Sequence, residues 1–324
     1  MLMLDAEAIM NQLSYPTLVD QLQVMHLGPK ALHSDLLMES TDAGDFTSHF
    51  FVRAGWQPGQ AIGAKIVSIF PGNNQARVWP SIQAVYVLFD GRNGTPVACL
   101  DGTAITYLKT ATDSALGARL LAREGISSML MIGAGEMARH LITAHCAIHP
   151  SIERVYVWNR TPAKADQLCQ GELPKQFGQV AFSAVEDLAQ YASKVDLISS
   201  ATATTTPLIK GEWLRTGTHV DLVGAFTAEM READDECLRR ASLFVDARET
   251  TIEHIGELMI PIAKSVINAD DIRADLTDLC QNRHPGRSSA DEITLYKNGG
   301  GGHLDLMLAR IMVKHCQSKQ DQEL

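Results

Sequence analysis

Residues 129–138 read Met-Leu-Met-Ile-Gly-Ala-Gly-Glu-Met-Ala, an apolar run that ends abruptly in a glycine turn. The run has the length of a buried strand, and Met137–Ala147 continues at helical spacing. Gly133 allows a tight exit from the strand. Gly135 lacks a Cβ, so a ligand can come up to the main chain. Ala138 is small enough for the new helix to settle on the sheet. This Gly-x-Gly-x-x-Ala spacing is the dinucleotide-binding fingerprint. A helix that starts at Glu136 and Met137 turns open N–H groups and its positive dipole end toward a pyrophosphate.

A second strand, Arg154–Trp158, follows the helix and ends in Asn159-Arg160-Thr161. An NAD site usually carries Asp or Glu at this point, where the carboxylate binds the ribose 2′-hydroxyl. Here no carboxylate would repel a 2′-phosphate, and a guanidinium flanked by two small polar groups can hold one. The expected cofactor is therefore NADPH, with NADH weaker. Further strands are expected at Gln179–Phe182, Asp196–Ser200, His219–Val223 and Leu243–Asp246, with helical segments between most of them. That alternation predicts an α/β fold with a doubly wound parallel Rossmann sheet, whose ligands lie at the carboxyl ends of the strands. Ala201-Thr202-Ala203 and Val223-Gly224 occupy two such ends, and their small residues suit an approach to the nicotinamide half.

The first hundred residues have another character. Helices are expected at Ala6–Leu13 and Tyr15–Met25. Strand-like runs follow at His49–Arg53, Ala61–Phe70, Ile82–Asp90 and Pro96–Leu100, with turn signals at Gln57–Gly59, Pro71–Asn74 and Asp90–Gly94. This reads as an antiparallel sheet. A long helix over Thr106–Arg123 leads into the nucleotide-binding part. The last segment, Ile293–Gln317, holds a glycine run and an amphipathic helix that returns to the first domain. The expected division is a discontinuous α+β substrate and dimerisation domain, 1–112 completed by 303–324, and a Rossmann domain over 113–302.

Lys65 lies mid-strand among Ile62, Ile66 and Val67, where alternation aims it to one face. Buried beside a carboxylate its charge attracts; desolvated, its pKa falls and it could donate a proton. Lys109 is a second cation, on the long helix. His303 and Asp305 follow the glycine run Gly299–Gly302, where backbone can approach a site. A net charge of −10 argues against a nucleic-acid surface. No apolar run spans a bilayer, and the N-terminus has no basic segment leading into an apolar one, so a cytoplasmic location is expected. Six cysteines without a Cys-x-x-Cys pair predict reduced thiols, not a metal site or disulfide framework.

Several segments together resemble the ornithine cyclodeaminase/μ-crystallin family. They are Gly63-Ala-Lys65-Ile-Val with Phe70-Pro-Gly-Asn73, Leu100-Asp-Gly102, Ile105-Thr106, and Lys109-Thr-Ala111 with Ser114-Ala115. Gly133-Ala-Gly135, Trp158-Asn-Arg-Thr161, Ala201–Thr204 and Ile293–Lys297 continue the set in family order. The resemblance implies a homodimer paired through the discontinuous domain. It also implies an L-amino-acid or cyclic imino-acid substrate held between that domain and the nicotinamide. Cyclodeaminases of the family carry an Asp where this chain has Phe226, and a benzyl group cannot move a proton. The Phe226-Thr227-x-x-Met-Arg-Glu232 stretch and the ending Tyr296–Asp305 look instead like the imine reductases.

The implied activity is NADPH-dependent reduction of Δ1-pyrroline-2-carboxylate to L-proline, with Δ1-piperideine-2-carboxylate to L-pipecolate as a second reaction. Lys65, Lys109 and Asp305 are the candidate catalytic residues. Lys65, Lys109, Phe226, Thr227 and His303 are the candidate substrate contacts. Two departures from the family bear on this. Lys109 stands where an Arg is usual, and Lys30 or His33 stands in for an early substrate-binding Arg. Ornithine cyclodeaminase is the main alternative, followed by an L-amino-acid dehydrogenase and a non-catalytic, crystallin-like NADP-binding protein. Ring size, physiological direction and the proton donor stay open at the level of sequence.

Overall fold

The structure, a computed structural model, describes residues 1–41, 47–73 and 79–322. It divides into two compact units, Met1–Lys109 with Gly301–Leu324, and Thr110–Gly300. The turn expected at Pro71–Asn74 runs partly outside the described residues.

The first unit is built on a sheet of six described strands. They are β1 (Leu2–Leu4), β2 (Leu32–Thr41), β3 (Thr47–Gln57), β4 (Ala61–Ile69), β5 (Ile82–Asp90) and β6 (Pro96–Asp101). Their order is β1-β6-β5-β4-β3-β2, with β1 parallel to β6 and the remaining pairs antiparallel. Helices α1 (Ala6–Met10) and α2 (Tyr15–His26) precede β2. Asp5 and Ser14 cap them by accepting from the Ala8 and Thr17 amides. The C-terminal helix, Gly302–Gln322, lies on β3 and β4 and against α2. Its approach depends on two glycines. A Cβ at Gly55 would stand 2.7 Å from the Gly302 carbonyl oxygen, and one at Gly302 would stand 2.7 Å from that of Ala54. Any side chain at either position would lift the start of the helix off the sheet.

This unit differs from expectation in several places. Helix α1 ends at Met10 rather than Leu13, and the three-residue strand β1 was not anticipated. Nor was strand β2. Its order Leu32-His-Ser-Asp-Leu-Leu-Met-Glu-Ser-Thr has no clean alternation, and every residue of it is exposed. Helix α3 (Gly102–Leu121) starts four residues earlier than Thr106, because the Asp101 carboxylate accepts the Ala104 amide at 2.8 Å and caps it. This helix carries the chain from the first unit into the second.

The second unit is a parallel sheet of eight described strands: β7 (Ser128–Ile132), β8 (Arg154–Trp158), β9 (Ala181–Val185), β10 (Leu197–Ser200), β11 (His219–Leu222), β12 (Ser242–Val245), β13 (Ile272–Asp275) and β14 (Thr294–Lys297). Their order is β13-β12-β14-β11-β10-β7-β8-β9. Every residue of β7, β10, β11, β12 and β14 is buried, as a sheet covered on both faces requires. Strands β8 and β9 run outward from one side of β7 while β10 and β11 run from the other, so the strand order reverses at β7/β10. Ligands of such sheets bind outside the strand carboxyl ends at this point. Strand β9 begins two residues later than expected. Strands β13 and β14 were missed; each is four residues long and closes on a charged residue, Asp275 and Lys297, without the apolar run that marked β12. Helix α4 (Glu136–Ile148) follows β7. Among the described residues no helix is long and apolar enough to cross a membrane.

Three histidines of the second unit are held neutral by burial. The His219 pKa falls to about 3, and those of His140 and His149 to about 4. Between pH 6.5 and 4 the unfolded chain binds protons that these imidazoles refuse in the fold, so stability drops as pH falls through that window. Each contributes a slope of up to about 1.4 kcal/mol per pH unit. Buried Glu257, raised to about 7, has the opposite sign and offsets one of the three. Urea midpoints are therefore expected to fall from pH 7 to pH 5, and His149→Asn to flatten the decline. A midpoint independent of pH over this range would contradict the assignment.

Candidate active site

The second unit holds a cradle at the ends of β7, β8, β10 and β11. Gly133 leaves β7 with φ of +108°, a conformation that favours glycine, and its amide bonds the Trp158 carbonyl at 2.8 Å. A Cβ there would meet the Ala201 carbonyl oxygen at 2.8 Å, so the end of β10 also needs this glycine. Ala138 is fully covered, as its size allows. Gly135 caps α4 without any side-chain bond, and a Cβ built on it meets nothing within 4 Å. The amides of Gly135, Glu136 and Met137 have no acceptor among the described residues. Open space over a glycine, faced by unused amides at a helix N-terminus, fits a dinucleotide pyrophosphate. Glu136 bonds Arg139 one turn on, which holds its carboxyl below the usual range, so its charge is balanced beside this space.

Asn159 acts on the cradle rather than standing free at the strand end. Its Oδ1 accepts the Ala134 amide at 3.2 Å and its Nδ2 donates to the Thr161 carbonyl at 2.9 Å. The side chain thus ties the glycine turn to the loop after β8. Arg160, Thr161 and Lys164 are exposed, and neither cation has an ion-pair partner among the described residues. Lys164 escaped sequence reasoning, since an exposed lysine in a first helical turn carries no signal of its own.

The loops after β10 and β11 complete this edge of the unit. Ala201 bonds the Ile132 carbonyl and Val223 the Ser200 carbonyl. Thr202 and Gly224 touch through their main chains, while Ala203 lies exposed beyond them. Phe226 projects with 65% of its surface exposed, unusual for a benzyl side chain at a sheet edge. Thr227 follows it, half-buried, its carbonyl accepting the Gly256 amide.

The first unit brings together Lys65, Asp305, Thr106, Lys109 and His303. In the β3/β4/β5 register, Lys65 sits opposite Arg53 and Tyr86, so the three side chains share one sheet face. Lys65 is only 6% exposed. Its Nζ lies 3.1 Å and 3.0 Å from the two Asp305 oxygens and donates to Thr106 Oγ1 at 3.2 Å. The Thr106 hydroxyl donates to the Gly102 carbonyl at 2.7 Å, so its oxygen can accept from Lys65. Lys109 stands one helical turn beyond Thr106 and is buried. Burial would raise the Asp305 carboxyl, but Lys65, Lys109 and Arg53 outweigh it and keep the group below the usual carboxylate range. His303, on the same helix as Asp305, is held neutral by burial and by nearby His26, Lys109 and His33. His33 is thus within electrostatic reach of the group, whereas Lys30 lies exposed before β2. Sequence alone did not show that Lys65 and Asp305 pair over 240 residues, nor that Thr106 joins them.

Fold and site together define a class: a Rossmann dinucleotide-binding unit joined in one chain to an α+β unit with a buried lysine–aspartate pair. Within that class the chain belongs to the ornithine cyclodeaminase/mu-crystallin family, which residues 54–320 match. It is 44% identical to the Δ1-pyrroline-2-carboxylate reductase of Paracoccus denitrificans over 304 residues, covering 94% of this chain and 93% of that one. Its fold is similar to that of the Thermococcus litoralis Δ1-pyrroline-2-carboxylate reductase solved with NADH and L-proline, with a TM-score of 0.89. Identity to it is 28%, over 99% of this chain and 98% of the other. An archaeal alanine dehydrogenase dimer with bound NAD is also similar, with a TM-score of 0.85 and 26% identity over 98% and 97% of the two chains.

The lysine–aspartate pair has a measurable signature. Asp305→Ala leaves a buried ammonium unpaired and is expected to cost about 3–5 kcal/mol in urea unfolding. Lys65→Met combined with Asp305→Leu should recover most of that loss. A cost below about 1 kcal/mol for the single change would mean that water solvates Lys65 and the pair is not buried.

Proposed function

We propose that this chain is an imine reductase that converts Δ1-pyrroline-2-carboxylate to L-proline with NADPH, and Δ1-piperideine-2-carboxylate to L-pipecolate as a second reaction. The observation that carries the reading is the buried Lys65 ammonium, held by Asp305 and Thr106, with buried Lys109 within electrostatic reach of the same aspartate. Buried ammonium groups suit the carboxylate of a small acid. The P. denitrificans relative, at 44% identity, supports the reduction of a C=N bond.

When bound, the reduced nicotinamide supplies a hydride to the imine carbon. The protein's part is to hold the partners and supply a proton to the ring nitrogen. Lys65 and Lys109 receive the substrate carboxylate as point charges, where an arginine would grip both oxygens at once. Asp305 holds Lys65 in place through its two short contacts. The proton comes from Lys65 or from a water oriented by Asp305 or His303. Phe226 offers a flat apolar wall and Thr227 a hydroxyl. The main rival, cyclodeamination of ornithine, lacks support here because Phe226 cannot relay a proton.

NADPH preference rests on the loop after β8. It carries two exposed cations, Arg160 and Lys164, without ion-pair partners among the described residues, and no carboxylate between Trp158 and Lys164. The cofactor-binding set is Gly133, Gly135, Glu136, Met137 and Ala138 at the first turn, and Asn159, Arg160 and Thr161 at the second. Ala201, Thr202, Ala203, Val223 and Gly224 serve the nicotinamide half. Loss of NADPH absorbance on adding either cyclic imine is the expected result, with NADH less effective. Lys65→Met should abolish turnover, and Arg160→Ala should raise the KM for NADPH about tenfold or more with little effect on NADH, as loss of a charge-assisted phosphate contact predicts. No oxidation of NADPH with either ring sinks the proposal.

A homodimer paired through the first unit belongs to the same reading. Strand β2 is an open edge ten residues long, with Leu32, Leu36, Leu37 and Met38 each more than half exposed. Such an edge is a liability in a monomer and suits burial against a second copy. Light scattering is expected to give twice the chain mass. Leu36→Glu with Met38→Lys should yield monomers. A wild-type monomer at micromolar concentration would refute the pairing.

A further inference from the structure

Glu232 is wholly buried, and the reaction assigned above does not use it. Its carboxylate collects five donors from two loops. Oε1 accepts from Ser200 Oγ at 2.5 Å, the Thr202 amide at 2.8 Å and Thr202 Oγ1 at 2.9 Å. Oε2 accepts the Gly224 amide at 2.5 Å and the Ala225 amide at 3.3 Å. The first group lies at the end of β10 and the second at the end of β11. The two loops are already in contact, since a Cβ on Gly224 would stand 2.2 Å from the Thr202 nitrogen.

Glu232 is itself fixed from behind. The Glu257 carboxylate accepts the Glu232 amide at 2.7 Å and the Ala233 amide at 3.0 Å. The Glu232 carbonyl accepts the Leu208 and Ile209 amides, both at 2.9 Å. Lys297, also fully buried, donates to the Leu222 and Asn298 carbonyls at 3.0 Å and supplies the countercharge. Burial raises the Glu232 carboxyl, while Lys297 and the donors from Ser200 and Thr202 oppose that rise. A carboxylate with so many preset donors is costly to bury and rigid once buried.

We infer that Glu232 is a positioning residue that holds the Ala201–Thr202 and Gly224–Ala225 loops in the one arrangement that seats the nicotinamide ring. This rests on the cofactor reading above. Glu232 touches neither substrate nor cofactor in this assignment; it acts through the two loops. Because hydride transfer is steep in distance and angle, a small displacement of those loops should cost much of the rate.

The test uses the full chain and compares NADPH with 2′-phospho-ADP-ribose, the same molecule without the nicotinamide. Unaltered protein should bind NADPH more tightly than the fragment. In Glu232→Gln, Oε1 and Nε2 cannot both accept, so one loop loses its anchor. The fragment should bind as before, the affinity advantage of NADPH should shrink, and kcat should fall about tenfold or more. Amide exchange in the cofactor-free protein should rise at 201–204 and 223–226 while 129–133 stays protected. Ser200→Ala removes a single hydroxyl donor to Glu232, outside the cofactor-binding set, and should give a milder form of the same split, so the inference stays testable if Glu232→Gln does not fold.

Equal loss of fragment and NADPH, or an unchanged NADPH advantage in both variants, overturns the assignment. Unaltered protein that binds neither dinucleotide removes the cofactor reading and this assignment with it. Binding without reduction of either imine removes only the substrate reading, because the nicotinamide-dependent part of the affinity still reports on Glu232.

Discussion

The second unit depends on main chain meeting main chain at the carboxyl edge of its sheet. Gly133 lies against the Ala201 carbonyl, and Gly224 lies against Thr202. A single Cβ at either glycine would separate β7 from the loop after β10, or that loop from the one after β11. With the glycines in place, three strand ends close into one rim, and α4 starts with its amides turned to open space. The concave edge is therefore a product of missing side chains as much as of those present.

Charge is then placed on that frame at a cost the fold has to meet. Both units bury ionised groups. In the first, Asp305 is offset by Lys65 and Lys109; in the second, Glu232 is offset by Lys297 and held by loop donors, while burial and Glu232 raise Glu257 to about 7. Buried charges seldom add stability when compared with apolar residues of the same volume, so their presence points to work other than holding the fold together. The two arrangements differ in kind. Lys65 and Lys109 carry charge that a small anion can share. Glu232 is saturated by five donors and has nothing left to offer a ligand. One suits recognition, the other the shaping of a surface.

Legibility followed the length and regularity of each signal. The ends of β7 and β8 could be read to the residue, because an apolar run stops at a glycine in one case and at a polar triplet in the other. Strands β13 and β14 could not, since each spans four residues and closes on a charged one, Asp275 or Lys297, so no apolar run marks its end. Strand β2 was missed for another reason: it buries nothing within the chain, and its apolar residues follow no period. Asn159 illustrates a subtler gap. Its neighbours in sequence do not show that its amide ties two turns together, accepting from Ala134 and donating to Thr161.

By itself the sequence determined the parallel α/β class, the location of the glycine turn after β7 and the absence of a carboxylate at the end of β8. These are properties of neighbouring residues, governed by local sterics and local charge. Only the tertiary structure decided that Lys65 meets Asp305 across 240 positions, and that one glutamate joins the ends of two strands. Such pairings depend on strand register and on how closely Gly55 lets the final helix descend. Both are set by the whole core at once, and no stretch of a dozen residues contains them.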